Sequence, residues 1–534
     1  MVIAHPRPQQ RRPVLLRDVL RAAGLDVGLA ADGPADLDVT GIAMDSRQVQ
    51  PGDLYLAVGG AATHGANFAA QAAAAGAAVM VTDEAGAAIL AADGRDPGLP
   101  VVVVAGDPRP AAGALAAAVY GRPSAGLTVV GITGTNGKTT MSFMIAAALR
   151  AAGERVGVIG TTGIYLEDER LPAERTTPEA VELHAILAHI KERGITAVVM
   201  EVSSHAIVFG RVGGVEFDAG VFTNLTQDHL DFHGTMDAYF AAKASFIDTV
   251  PCAIVCVDDE WGRVLAARLP AAQTYAVGAD VPATWFADGM EISGDGMDFR
   301  LHGPAAVASE LTAGVPAHVG LIGDFNVANA TGTAATVCSL GIDLASALTG
   351  IRNCPGVPGR MQPVRNDLGL RAFVDYAHTP DAVARAIAAA PGRVLAVVGC
   401  GGDRDAAKRP LMGGAAARLA DFVVITDDNP RSEDPAAIRA AMWEGVSAVP
   451  ASERAQVVEV ADRRAAIRVA VAEARPGDSV LVLGKGHEQG QTVGATVHPF
   501  DDVTELAAAM AEAADTAQAA DTAQAADSAQ AAER

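Results

Sequence analysis

Aromatic residues are scarce in this chain, 4% of 534, while Ala and Gly are abundant. That balance disfavours a β-sandwich and suits helices packed closely on parallel sheets. Cysteine is scarcer still: Cys252, Cys256, Cys338, Cys354 and Cys400 are odd in number and scattered. They form neither a disulfide framework nor a zinc-ligand spacing, and a reducing cytoplasm is the expected setting. Long apolar runs are missing too. The run at residues 101–104 is far too short to span a bilayer, and the Arg- and Pro-containing start has no apolar stretch behind it. No membrane insertion and no export are therefore expected. Positive charge is also in deficit, 40 Lys and Arg against 63 Asp and Glu, for a formal net charge of −23. This argues against a general nucleic-acid binder, so any anionic substrate must be met by local basic residues.

What is present begins with Gly131-Ile132-Thr133-Gly134-Thr135-Asn136-Gly137-Lys138-Thr139-Thr140, between the apolar run at 127–130 and a helical pattern from about Met141. A strand, a Gly-rich turn and a helix N-terminus gather backbone N–H groups around an anion. A tight strand-to-helix connection would need only the glycines. Lys138-Thr139-Thr140 at the helix start argues for a phosphate cradle instead. The generic P-loop requires Gly, four intervening residues, then Gly-Lys-Thr, whereas Ile132 stands at that first position, so the loop is a variant.

The length calls for two to four domains. Residues 1–13 are polar and Pro-rich and read as frayed. A small α/β unit follows, with Asp45-Ser46-Arg47, a strand at 54–58, a helix at 68–75 and strands at 77–81 and 101–104. Gly121-Arg122-Pro123-Ser124 ends it. In the second unit, strands at 156–159, 197–202 and 219–222 run into polar loops. These carry Glu201-Val202-Ser203-Ser204-His205 and Thr223-Asn224-Leu225-Thr226-Gln227-Asp228-His229. Open α/β sheets collect ligands at such strand ends. Asn326 and Asn329 share a helix face by their three-residue spacing. After Asn353-Cys354-Pro355-Gly356, strands at 371–375, 394–398, 422–426 and 479–483 alternate with helical patterns, which predicts a third doubly wound unit. The expected division is 1–122, 123–355, 356–510 and a tail, 511–534. The tail repeats every six residues at Asp515, Asp521 and Asp527 without large apolar side chains, and is expected to be disordered or at most a weak solvated helix.

Taken together, these motifs resemble the Mur ligases, ATP-dependent amide ligases of peptidoglycan precursor synthesis, and most closely their diaminopimelate-adding branch. The likeness spans nearly the whole chain. It implies three domains: a small N-terminal α/β domain for the UDP-substrate, a central P-loop-type ATPase domain with a mostly parallel sheet, and a Rossmann-like C-terminal domain for the amino acid. It also accounts for the variant loop spacing, since Gly134 through Thr140 match the family's ATP loop.

The resemblance further implies a set of roles. ATP and Mg²⁺ are the expected cofactors, with Lys138 on the β- and γ-phosphates and Thr139, Glu201 and His229 as metal-site residues. Lys243 is implied to be carbamylated by carbon dioxide, an oxygen ligand in place of a cation that Mg²⁺ would repel. Asn326 and Asn329 lie toward adenine, and Arg360 and Asp375 close over ATP, although Arg360 has a linker salt bridge as its plain alternative. Tyr376 and His378 support that junction. Met44 and Ser46 face uridine, and Thr176, Thr177, Ser203 and Arg211 face the acyl chain and diphosphate. Arg404, Asp428-Asn429-Pro430-Arg431, Gly484 and Glu488 recognise diaminopimelate, Arg431 by a bidentate grip on a carboxylate. Two departures stand out: Phe209 replaces a commonly polar residue, and Ala61-Ala62-Thr63 replaces a more polar loop. The expected substrates are UDP-MurNAc-L-Ala-D-Glu and meso-diaminopimelate, and the expected state is a monomer. The rivals are the same reaction with L-lysine, a folate-type glutamate ligase, and a catalytically silent nucleotide-binding scaffold.

Overall fold

The computed structural model describes residues 5–25, 36–60, 63–94, 96–167, 169–278, 280–294 and 296–532. Ala61 and Ala62 of the departing loop lie outside them. The chain is α/β, built on mostly parallel sheets.

The largest sheet has eleven strands among the described residues. At its centre lies Thr128–Thr133, flanked in parallel by Ala197–Glu201 and Ala219–Phe222. Val156–Gly160 continues the parallel pairing on one side, and Ala253–Cys256, Gln273–Val277 and Trp285–Ser293 continue it on the other. Strands covered on both faces read as unbroken apolar runs. All five residues of Ala197–Glu201, including the carboxylate-bearing one, are buried. The parallel arrangement sends the loops after Thr133, Glu201 and Phe222 to one edge, which sets the position of the site.

Both margins of this sheet are antiparallel: Gly163–Leu166 with Glu169–Leu171, and Gly296–His302 between Trp285–Ser293 and Val315–Val319. These strands were not anticipated. Their signal is alternation, with Phe299 and Leu301 buried and Asp298 and Arg300 facing solvent, as expected of strands with one covered face.

The N-terminal sheet is fully parallel, in the order Gly41–Ala43, Asp53–Ala57, Val79–Thr82 and Val101–Val103. A third sheet runs Gln362–Pro363, Arg371–Asp375, Ser479–Leu483, Val394–Val398, Phe422–Ile425 and Gln456–Glu459. Only its first pairing is antiparallel.

One expectation is corrected and another is narrowed. The segment before residue 13 is not frayed throughout. Arg7 donates to Asp53 at 2.6 Å, and the Gln9 and Gln10 amides donate to Glu192 at 2.7 and 2.8 Å. The final helix, Asp502–Ala532, passes through residue 510 without a break and carries the repeat region, so of the two alternatives, disorder or helix, it takes the helical one. Ala, the strongest helix former, dominates that repeat. The helix is anchored at its start, where Asp502 and Arg463 form a fully buried two-point pair of 2.8 and 2.7 Å.

Candidate active site

The phosphate loop follows the central strand and opens the helix Lys138–Ala151. Gly134 and Gly137 have φ of +141° and +87°, and a Cβ on Gly137 would come 2.7 Å from Asn329 Oδ1. Glycine is required there by backbone conformation and by crowding. The neighbouring loop after Phe222 braces the turn. Asn224 O accepts from Thr135 N at 2.9 Å, Asn224 Oδ1 accepts from Asn136 N at 2.9 Å, and Thr223 Oγ1 donates to Asn136 O at 2.6 Å. Sequence reasoning gave Thr223 and Asn224 no role. Their place, directly after a strand adjacent to the cradle strand, was the available signal.

Lys138 Nζ folds onto its own loop, donating to Gly134 O at 2.9 Å and Thr135 O at 2.8 Å. Burial lowers its proton affinity, an effect opposed by Glu201 and reinforced by Arg360. Lys243, read from sequence as a lysine whose plain role would be solvated, is buried at 1% exposure. Its Nζ donates to the same Gly134 O at 2.7 Å and lies 4.6 Å from the Tyr239 ring. Burial first, and then the charge of Lys138, push its pKa well below the lysine value. Two amines thus converge on one carbonyl.

Glu201 is buried at the end of its strand. Its Oε1 accepts from Thr139 Oγ1 at 2.9 Å and Thr161 N at 2.8 Å, and its Oε2 from Thr161 Oγ1 at 3.1 Å. Thr161 Oγ1 lies 3.0 Å from Thr176 Oγ1, and Thr177 Oγ1 donates to the Glu201 backbone carbonyl at 2.8 Å. Ser203 lies 3.4 Å from the Thr177 hydroxyl and caps the next short helix. The phosphate loop and Thr176-Thr177-Ser203 therefore converge on one residue, Glu201, the loop through its carboxylate and Thr177 through its backbone carbonyl. Thr161, which makes the link, was not singled out in the sequence.

His229 sits at φ +52°, beside Asp228 at 3.4 Å, with 46% of its side chain exposed. His205 packs edge-on against it at 5.0 Å and stacks on Phe232 at 4.2 Å. Phe209 lies 5.5 Å from Phe232 and 5.5 Å from the Arg211 guanidinium, so the departure from a polar residue forms an apolar shelf here. Arg211 is held by Glu179 at 2.9 Å.

Among the described residues, no three His, Cys, Asp or Glu side chains form a ready metal cage. Magnesium needs less: one or two carboxylates, with the remaining positions filled by phosphate and water. Thr139 and Glu201, oxygen donors already in contact at the loop, fit that habit.

A cavity of about 550 Å³ extends from the loop and is lined by Asn136, Gly137, Asn326, Asn329, Arg360 and Asp375. The two helical asparagines are linked, Asn329 Nδ2 donating to Asn326 Oδ1 at 3.2 Å. Arg360 comes from the third unit, donates to Thr139 Oγ1 at 3.3 Å and lies 4.9 Å from the Tyr376 ring. Its Nε is buried without a partner. Asp375 Oδ2 accepts from Met361 N at 2.6 Å. Behind it, His378 Nδ1 meets Tyr376 O at 2.8 Å, and His487 packs on Tyr376 at 5.1 Å.

At the C-terminal ends of the third sheet's strands, fully buried Lys485 donates to Asn429 Oδ1 at 2.9 Å and lies 3.4 Å from both Asp428 and Glu488. Asn429 Nδ2 donates to Glu488 at 2.7 Å. Arg431 adopts φ +52°, its backbone paired with Thr492 and Gly494 and its Nη1 on Gly402 O at 2.6 Å. Arg404 is exposed nearby on Asp403 O at 3.2 Å. Gly484 has φ +118°, and a Cβ there would lie 3.1 Å from Asp428 Oδ2. Pro430 is buried within this loop. Cations and carboxylates are thus arranged together, with Lys485 bridging the Asp428-Asn429 and Glu488 segments.

Met44 and Ser46 line a second cavity of about 760 Å³ between the N-terminal and central units. Ser46 Oγ donates to Gln71 at 3.0 Å.

Residues 132–337 match the Mur ligase middle domain, 359–486 the Mur ligase glutamate ligase domain, and 38–120 the Mur ligase family catalytic domain. The UDP-N-acetylmuramoyl-L-alanyl-D-glutamate–2,6-diaminopimelate ligase of Streptomyces coelicolor is 47% identical over 94% of this chain and 98% of its own length. The enzyme of the same name from Corynebacterium glutamicum is 43% identical over 91% and 94%. A solved structure of a ligase of that name superposes with a TM-score of 0.65 at 30% identity, over 94% of this chain and 99% of the other.

Proposed function

Because the chain belongs to the Mur ligase family, we propose that it is an ATP-dependent ligase joining meso-diaminopimelate to UDP-MurNAc-L-Ala-D-Glu. The bond formed is an amide at the D-Glu γ-carboxylate, in peptidoglycan precursor synthesis. The observation that carries the reading is the position of Glu201, bonded to Thr139 of the phosphate loop and, through Thr161, to Thr176. A phosphoryl donor and a carboxylate acceptor are drawn to opposite sides of one group.

The chemistry proceeds in two displacements. A γ-carboxylate oxygen attacks the γ-phosphorus and ADP leaves. The amine then attacks the acyl carbon, inorganic phosphate leaves and the amine sheds a proton. The first step brings two anions together, so fixed positive charge is the main requirement. Lys138 leaves its loop carbonyls for the phosphates, and Arg360 supplies a second cation from the third unit. Thr139 and Glu201, with His229, would hold Mg²⁺, which would supply charge neutralisation at the phosphates. Lys243 is buried beside another amine on a single carbonyl, a setting that disfavours the ammonium and leaves a nucleophilic amine for CO₂. Its nitrogen attacks the carbon and loses a proton, giving a carbamate.

Asn326 and Asn329 hold the nucleoside end, and Asp375 supports Arg360. Met44, Ser46, Thr176, Thr177, Ser203 and Arg211 carry the UDP-dipeptide. Diaminopimelate offers two carboxylates and two ammonium groups. Arg404 and Arg431 suit a carboxylate, and Glu488, Asp428 and the Gly484 carbonyl suit an ammonium. L-Lysine lacks the carboxylate that Arg431 would grip.

The test is phosphate release from ATP with UDP-MurNAc-L-Ala-D-Glu and either meso-diaminopimelate, L-lysine or no amino acid. Amino-acid-dependent release with diaminopimelate is expected. Release with L-lysine alone overturns the specificity, and release with neither favours a silent scaffold. A carbamate carbon resonance after loading with ¹³C-bicarbonate tests Lys243.

A further inference from the structure

The segment at residues 5–10 crosses between the N-terminal sheet and the helix Ala180–Glu192 of the central unit. His5 reaches Glu182 in the first turn at 3.2 Å, and Gln9 and Gln10 hold Glu192 at the other end. Between these anchors, Arg7 points into the N-terminal unit. Its Nη1 donates to Asp53 at 2.6 Å, and its Nη2 to Gln48 O at 3.1 Å and Ile42 O at 3.5 Å. Asp53 is completely buried, and its second oxygen, Oδ1, has no partner. Asp53 also accepts from Gln50 N at 2.9 Å.

Ile42 and Gln48 are the two ends of the turn that carries Met44 and Ser46. One guanidinium therefore grips both ends of that turn while neutralising the carboxylate beneath it. The same segment is bonded to the helix whose N-terminal residue Glu179 holds Arg211. His5, Arg7, Met44, Ser46, Gln48 and Glu182 all line the second cavity.

We infer that Arg7 is a positioning residue for the UDP-substrate, fixing the turn at 42–48 against the central unit so that the two halves of the second cavity keep their register. The inference rests on the function proposed above. Only a planar fork spans an oxygen of Asp53 and the two carbonyls together, so lysine is a partial substitute. Arg7 touches none of the ATP or amino-acid residues, so its loss acts on one substrate.

The experiment uses the full chain and compares wild type, Arg7→Ala and Arg7→Lys by steady-state kinetics and by hydrogen exchange. In Arg7→Ala, KM for UDP-MurNAc-L-Ala-D-Glu should rise about 10- to 100-fold, the range expected for losing one charge-assisted contact, with KM for ATP and diaminopimelate moving less than about twofold. Arg7→Lys should fall between. Amide exchange should quicken at 42–50 and stay unchanged at 131–140. An unchanged KM for the UDP-dipeptide, a rise in all three KM values together, or unaltered exchange at 42–50 in Arg7→Ala overturns the inference. Should Arg7→Ala not fold, Arg7→Lys decides by the same two readouts. Absence of turnover in wild type would count against the function alone, because exchange at 42–50 still decides the role of Arg7.

Discussion

Replacing Lys243 by methionine should sharply reduce activity while leaving stability nearly unchanged or higher. The substitution keeps an unbranched chain of similar length at a position with 1% exposure. It removes one hydrogen bond, 2.7 Å to Gly134 O, worth about 1.5–3 kcal/mol if the donor is charged. A contact with the Tyr239 ring at 4.6 Å adds roughly 0.5–2 kcal/mol. Against this, Gly134 O keeps a partner, since Lys138 also donates to it at 2.9 Å. The buried ammonium beside Lys138 disappears as well. Each unit by which the folded protein depresses a lysine pKa costs about 1.4 kcal/mol of stability at pH below both values. The shift at Lys243 is downward, from burial and the neighbouring Lys138 charge, so it opposes the loss of those contacts. The expected net change lies within about 1 kcal/mol of zero or on the stabilising side, less than roughly 4 °C in a domain of this size. The pH dependence has a definite sign. Between the depressed folded pKa and the unfolded value near 10.4, the unfolded chain binds more protons, so wild-type stability rises with pH. The methionine variant lacks that slope, and its advantage should shrink from pH 7 to 9.5. Turnover should drop on the order of 10²–10³-fold, the cost of removing one preorganised transition-state stabiliser, and bicarbonate should not restore it. Melting curves of CO₂-free protein at the two pH values, run beside phosphate release in bicarbonate, provide the check. Near-normal turnover refutes the carbamate, and a loss exceeding about 2 kcal/mol refutes the idea that the ammonium is penalised.

The junction around Tyr376 should be acid-sensitive. Burial, reinforced by Lys408 for His378 and by Arg360 for His487, lowers both imidazoles to about 4. Their neutral forms stabilise the fold above pH 6.5, and this is lost as pH falls through about 4, by at most about 3 kcal/mol for each group. Melting temperature followed from pH 7 to 4 should flatten in the His378→Gln, His487→Gln double variant. An unchanged slope refutes the assignment. Arg431→Lys keeps the charge but loses the fork, so KM for diaminopimelate should rise on the order of tenfold or more without gain of L-lysine turnover; a gain would reverse the reading of that residue. Asp502→Ala strands fully buried Arg463 and should cost about 3–5 kcal/mol in chemical denaturation of the third unit. A change below about 1 kcal/mol would show that the pair does not anchor the last helix.

The parallel strands were legible because burial on both faces leaves little but Val, Ile, Ala and Gly, as in Thr128–Thr133 and Val394–Val398. The order of those strands brings the Glu201 and Thr223 loops to the cradle, and the strand-to-polar-loop pattern had already marked both. The margins were harder to read. Trp285–Ser293 and Gly296–His302 alternate, but glycines at 289, 294 and 296 break the rhythm. Burial of single polar residues was harder to read. In the helix Met236–Ile247 the buried Tyr239, Phe240, Phe246 and Ile247 bracket Lys243 at three and four residues on either side, so helical spacing places Lys243 on the covered face, a local signal that a solvated-lysine reading passes over. Arg7 sits in a Pro-rich stretch that reads as loose chain, and its partner lies 46 residues away. Arg431 takes a left-handed backbone conformation that only the strand pairing at Thr492 and Gly494 explains.

The polar groups of the phosphate loop satisfy one another. Lys138 rests on two carbonyls, Thr139 joins Glu201, and Arg360 crosses from the third unit to Thr139. On the reading proposed here, nucleotide phosphates exchange contacts with these groups rather than meeting bare ones. The gross strength of each new charge-assisted bond is therefore largely balanced by one given up, and the net gain per contact is about 1 kcal/mol rather than 4–6. Affinity for ATP then depends on the cavity walls around Asn326 and Asn329, while the exchange itself releases Arg360 from Thr139. Arg360 is attached to the unit that carries Arg431 and Lys485 and already reaches Thr139, so under the proposed function a phosphate that draws it from the hydroxyl would couple nucleotide arrival to the amino-acid site. The order of the two displacements follows from the chemistry itself, because the amine can expel phosphate only once phosphate has been placed on the carboxylate.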